Sequence, residues 1–173
     1  MGDGIALELA IHHPELLRKL VWAGGANYKP AGLYSVIRDG AKDLKPELLD
    51  GSPWQKAYAA VAPNPGNWSS LVFKVRNLDV HFSGWRSSEV QAIQAPILLI
   101  IGDSDIVRPE HVVEMFRLLG GGVPGDVNGL PHSQLAVLPG TSHVTLVDRT
   151  GWLLSMVTAF LDTPASKAKS RHL

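Results

Sequence analysis

The stretch Pro96-Ile97-Leu98-Leu99-Ile100-Ile101-Gly102-Asp103-Ser104-Asp105-Ile106-Val107-Arg108-Pro109 decides the fold. Its first part is a continuous apolar run with no polar alternation. That is the pattern of a central parallel strand buried on both faces. Gly102-Asp103 predicts the end of the strand and a turn that carries functional side chains. Pro109 predicts the first position of a helix, because its missing N–H and preset φ suit that position. The helix is expected over Glu110–Leu119, with Val112, Val113, Phe116 and Leu119 on one face. Strand, turn and helix in this order are the rhythm of a parallel sheet with crossover helices. Catalytic and ligand-binding groups gather at the carboxyl ends of such strands. Asp103 and Asp105 are therefore candidate functional carboxylates, although an Asp-Ser-Asp turn also suits a solvated or helix-capping role.

Downstream, the Gly- and Pro-dense loop Gly120–Pro131 predicts irregular backbone. Gln134–Leu138 reads as the last strand. It runs into Pro139-Gly140-Thr141-Ser142-His143, a strand end followed by a tight loop and a histidine. Thr150 is expected to cap a final amphipathic helix through Leu161, with Leu153, Val157 and Phe160 facing the core. The polar, basic tail 163–173 predicts disorder.

Upstream, Gly4–His12 reads as a helix with Ile5 and Leu9 at helical spacing. Small Ala6 and Ala10 allow close packing, and Pro14 ends the helix. His12 and His13 fall in its last turn, where the dipole favours cations. Leu16–Trp22 predicts a short strand closed by Ala23-Gly24-Gly25. The segment Ala26–Ser88 differs in kind. It holds most of the aromatic residues, Pro46, Pro53, Pro63 and Pro65, and three short helical patterns: Leu33–Ala41, Pro53–Val61 and Trp68–Val80. It is expected to be a helical insertion, a cap or lid, between sheet strands. The resulting organisation is 1–25 core, 26–90 cap, 91–162 core and 163–173 tail.

The bulk composition narrows the function. The chain has 173 residues, 45% hydrophobic and 18% charged, which suits one globular core. Lys+Arg equals Asp+Glu, so the formal net charge is zero and no basic footprint points to nucleic acid or an anionic membrane. With no cysteine, disulfides, thiolate catalysis and cysteine-ligated metals are excluded. No apolar run reaches the roughly 18 residues of a membrane span. The first residues show no basic stretch followed by an apolar one, so no secretory signal is expected and a cytoplasmic location is.

His143 is the histidine whose setting suits chemistry. A strand end followed by Pro-Gly brings it to the same sheet rim as Asp105. A general base needs two ring nitrogens and a pKa near working pH. A carboxylate on Nδ1–H fixes the tautomer and stabilises the imidazolium. His12, His13, His81, His111, His132 and His172 have no such setting and read as ordinary surface or helix residues. Ser104 and Ser142 do not lie on a strand-to-helix elbow, and Ser142 is too close in sequence to His143 for the hydrogen bond a nucleophile needs. No histidine spacing indicates a metal, and no cofactor is expected.

Three motifs together resemble the α/β-hydrolase superfamily. Met1-Gly2-Asp3-Gly4-Ile5-Ala6-Leu7-Glu8-Leu9-Ala10 is similar to the run after the serine of a G-x-S-x-G nucleophile elbow. Residues 95–110 resemble the acid strand, and Pro139–His143 resembles the histidine loop. They occur in family order and cover the chain to about Asp162. The resemblance implies a partial α/β-hydrolase fold: a mostly parallel sheet with flanking helices and a helical cap insertion. It implies Asp105 as triad acid, His143 as triad base and the Met1 amide as an oxyanion-hole donor. Asp3 stands where a small residue is usual.

By this resemblance the nucleophile serine lies just upstream of Met1, so the chain is expected to be part of a longer parent and inactive alone. The parent is expected to cleave an ester or related acyl bond of a small apolar substrate, as a carboxylesterase-like serine hydrolase. Dehalogenase, epoxide-hydrolase and haloperoxidase chemistries share the fold. A non-catalytic, ligand-binding fragment is the alternative from another class. No nucleic-acid or membrane partner is expected, and self-association through an exposed sheet edge is.

Overall fold

The computed structural model describes residues 2–164. Met1, the proposed oxyanion donor, and the tail from residue 165 onward lie outside the described residues. The chain divides into two compact units. One comprises 1–32 and 84–173, and the other is 33–83.

The first unit is built on a three-stranded parallel sheet in the order β1 (Leu20–Ala23), β2 (Ile97–Ser104), β3 (Gln134–Ser142). β1 pairs Leu20 with Ile97 and Ala23 with Ile100. β2 pairs Leu98 with Gln134 and Gly102 with Leu138. The apolar run of β2 is buried from Ile97 to Gly102, as a strand flanked on both sides and covered on both faces must be. Leu98 and Ile100 pack with Leu138, Leu146 and Phe160, and with the partly buried Leu153, Met156 and Val157 of α8 (Thr150–Asp162). Ile97, Leu99 and Ile101 alternate to the opposite face. There α6 (Pro109–Leu118) lies against β2, while α1 (Gly2–His12) lies against β1 with Leu7 and Ala10 buried.

Local differences from the expected elements have physical causes. β1 begins at Leu20 rather than Leu16. Pro14–Leu16 forms a 3₁₀ turn in which the Leu17 N–H bonds back to the Pro14 carbonyl, and Leu16 is exposed. β2 does not stop at Gly102 but runs to Ser104, and β3 runs past Leu138 to Ser142. The extra pairing depends on Gly102, where a Cβ would lie within 1.9 Å of the Thr141 carbonyl oxygen. Only a residue without a side chain lets the two backbones approach so closely.

The buried stripe of α6 is His111, Val112 and Met115 rather than Val113, Phe116 and Leu119. His111 is the reason. Its ring stacks on Tyr28 at 4.7 Å, and its Nε2 accepts the Tyr28 N–H at 3.3 Å. Tyr28 Oη in turn donates to Glu114, which also receives Lys29 Nζ. A histidine read as an ordinary helix residue thus anchors the loop after β1. Burial pushes its pKa below the ordinary value. Thr150 opens α8 but does not cap it, since its hydroxyl donates to the Val147 carbonyl. The glycine-rich loop contains a short helix, α7 (Gly125–Asn128).

The second unit contains α2 (Ser35–Gly40), α3 (Pro53–Val61) and α4 (Trp68–His81), linked by 3₁₀ turns. Ser52 caps α3 by accepting the Gln55 N–H at 3.2 Å, and Pro53 follows at the first helical position. Tyr58 and Trp68 meet at 5.6 Å, and Val72 is the buried apolar residue of α4. Among the described residues, no helix is long and apolar enough to cross a membrane.

Candidate active site

Parallel strands end on the same rim, so the segments after β1, β2 and β3 converge. β1 ends in Gly24-Gly25, both at positive φ, the left-handed region that favours glycine. The Gly24 N–H still bonds to the Ile100 carbonyl at 2.8 Å, holding the turn beside β2. β2 ends in Asp103-Ser104, with Asp105 directly beyond it, and β3 ends in Gly140-Thr141-Ser142, with His143 directly beyond it.

Asp105 and His143 meet there, with Nδ1 of His143 3.1 Å from Oδ1 of Asp105. The same oxygen accepts the Val107 N–H at 3.2 Å. The Asp105 side chain is fully buried, whereas 38% of the His143 side chain remains exposed. A buried carboxylate that holds one nitrogen of a half-exposed imidazole leaves the other nitrogen for chemistry. The electrostatics are mutual. Burial raises the Asp105 carboxyl, but hydrogen bonds from His143 and Val107 and the His143 charge together hold it below the ordinary carboxylate value. The bond to Asp105 lifts His143 above its ordinary value, against the cost of burying the ring.

Asp103 is brought to the same place by a different contact. Its carboxylate accepts the N–H groups of Gly140, at 2.9 Å, and Thr141, at 3.2 Å. These backbone bonds hold its pKa down. Asp103 thus ties the end of β2 to the end of β3, directly before His143. Arg149 holds the same end of β3, donating to Thr141 Oγ1 and to the Gly140 carbonyl. The Asp-Ser-Asp sequence marks Asp103 as a candidate carboxylate or a turn residue. The identity of its partners, two residues brought in by β3, was not legible. Asp3 also comes close to His143 across Gly25, which no local pattern announces.

The two serines near the rim are engaged elsewhere. Ser104 Oγ donates to Asp103, and Ser142 exchanges hydrogen bonds with Thr145. Among the described residues, no hydroxyl is hydrogen-bonded to Nε2 of His143. His111 stands in the core beside Tyr28, and His12 and His13 pair with Glu8 and Glu15 on the surface.

No protein-family profile matches the chain, and no curated protein does. Solved structures do. A carboxylesterase structure from the ammonia-oxidizing thaumarchaeon Nitrososphaera gargenis superposes with a TM-score of 0.63 at 12% identity, covering 92% of this chain and 61% of that one. An α/β hydrolase from a Medee basin deep-sea metagenome library gives 0.56 at 15% identity, covering 99% and 65%. E-2-(acetamidomethylene)succinate hydrolase gives 0.59 at 15% identity, covering 94% and 64%.

The chain has the α/β-hydrolase fold. It spans less than two thirds of the length of these structures. Within that fold the described residues hold the sheet from β1 to β3, the Asp105–His143 pair and the segments that support it.

Proposed function

We propose that this chain carries the acid and the base of a serine hydrolase that cleaves an ester or related acyl bond. Asp105 is the acid and His143 the base. His143 takes the proton of an attacking serine hydroxyl at Nε2 and later activates the water that cleaves the acyl intermediate. Asp105 fixes the tautomer that leaves Nε2 free to accept and stabilises the imidazolium formed on proton transfer. The observation that carries this reading is the buried Asp105 carboxylate on Nδ1 of a half-exposed histidine, at the carboxyl rim of a parallel sheet. Several solved structures with this fold are hydrolases, one of them a carboxylesterase, which supports an acyl substrate. A small apolar acyl group is the substrate class favoured by the aromatic content of the chain between Ala26 and Ser88.

The test is hydrolysis of short p-nitrophenyl esters, together with labelling by a fluorophosphonate, by the protein as purified from its natural source. Both are expected, with turnover reduced at least a hundredfold in His143→Ala. Turnover and labelling that are unchanged in His143→Ala would overturn the proposal. Absence of both in the wild-type protein would favour a non-catalytic, ligand-binding role.

A further inference from the structure

His143 is approached from a second side. Gly25 lies at the end of β1 with φ of 69°, and the place its Cβ would fill is shared by two groups. Oδ2 of Asp3 lies 2.7 Å from that point, and Cε1 of His143 lies 3.4 Å from it. The preceding Gly24 completes the cradle, with Cε1 and Nδ1 of His143 each 3.6 Å from its own Cβ position. Asp3 sits in the first turn of α1 and His143 in the loop after β3. Two glycines without side chains let a carboxylate and an imidazole from opposite ends of the chain pack over one turn.

We infer that Asp3 is a positioning residue of this site, whose carboxylate stabilises the imidazolium form of His143 from the Cε1 edge of the ring. The inference rests on the proposed function for its catalytic meaning, while the nearness of the two groups to one turn does not depend on it.

The physical basis is the charge distribution of the ring. A protonated imidazole spreads its charge over both nitrogens and over Cε1–H between them. A carboxylate near Cε1 therefore acts in the same sense as Asp105 on Nδ1. Asp105 and Asp3 both raise the proton affinity of the ring, and the amino-terminal charge lowers it. In a hydrolase the consequence is twofold. The neutral base becomes available only at higher pH, and the imidazolium formed when the serine hydroxyl is deprotonated is better stabilised. Asp3 does not touch the reacting atoms and acts through His143.

The experiment is a proton NMR titration of the His143 Cε1–H resonance in this chain, in the wild type, Asp3→Asn, Asp3→Ser, Asp3→Glu and Asp105→Asn. Both neutral replacements of Asp3 are expected to move the His143 midpoint to lower pH. Asp3→Glu is expected to restore most of the difference. Ser suits the first turn of a helix, so it keeps the test open if Asn disturbs folding. A midpoint unmoved in both neutral variants would overturn the inference. Asp105→Asn separates the two readings. If it leaves the midpoint unchanged, the pair behind the proposed function fails. If it lowers the midpoint while the Asp3 variants do not, only the role of Asp3 fails.

Discussion

A carboxylate and an imidazole held 3.1 Å apart tie the stability of the protein to pH. The His143 pKa is raised above its ordinary 6.5, so its contribution is fully present below that value and is lost as pH rises through the folded-state pKa. The Asp105 pKa is lowered below 3.8, so its contribution is present above that value and is lost as pH falls through the folded-state pKa. The pair therefore stabilises most in the window between these ordinary values. His143→Gln is expected to flatten the decline in thermal midpoint on the alkaline side of that window, as measured by calorimetry across pH. An identical pH profile in the variant would show that the pair does not couple to folding. At this scale the sequence was informative about residue identity. A strand end followed by Gly-Asp-x-Asp, and another followed by Pro-Gly and a histidine, marked Asp105 and His143. The backbone partners of Asp103 and the nearness of Asp3 were not legible. Both are contacts between segments far apart in the chain, and no local pattern records them.

At the scale of the element, β2 bears the greatest demands. Ile100 is fully buried between two neighbouring strands and belongs to the cluster that includes Phe160 of α8. Ile100→Ala is expected to cost about 3 kcal/mol in urea unfolding, from lost transfer energy and an unfilled cavity. Gly102→Ala should be costly for a different reason. Its new Cβ would meet the Thr141 backbone, which cannot rotate away, so the strands must part at the rim. A loss of about 3 kcal/mol is expected. The His143 titration should also move toward lower pH, because β3 carries the histidine loop. If Gly102→Ala is as stable as the wild type, the close approach of β2 and β3 at the rim is wrong. The apolar run predicted the existence and burial of β2 but placed its end two residues early. Glycine in sequence reads as a breaker, and here it permits pairing. The buried face of α6 differs from the expected one because a histidine, polar by type, is a core residue whose Nε2 accepts the Tyr28 N–H.

For the whole molecule, the sheet is the feature with consequences. Among the described residues β1 is bonded to β2 alone, which leaves one edge of a parallel sheet without a partner strand. The same unit exposes Ile5, Leu16, Trp152 and Leu154. Zero formal net charge offers little repulsion to oppose contact. Purified alone, this chain is expected to associate as its concentration rises, with little response to salt. Sedimentation velocity over a wide concentration range checks this, and a single monomeric species throughout would count against it. In the unit of residues 33–83 Val72 is buried, but Val36, Trp54, Val61 and Phe73 remain exposed.

Local chemistry and periodicity by themselves determined a great deal: a buried parallel strand, the helices around it, and a carboxylate and a histidine at strand ends. These are short-range properties, written in hydrophobic runs, prolines and glycines. Only the tertiary structure decided what meets what. It aligned three strands so that their ends share one rim, and it let Gly102 and Gly25 admit close neighbours. It also brought Asp103, Asp105 and Asp3 around a loop that holds His143. The physical reason is that a contact between distant segments depends on how the intervening chain packs, whereas strand and helix patterns depend on neighbours a few residues away.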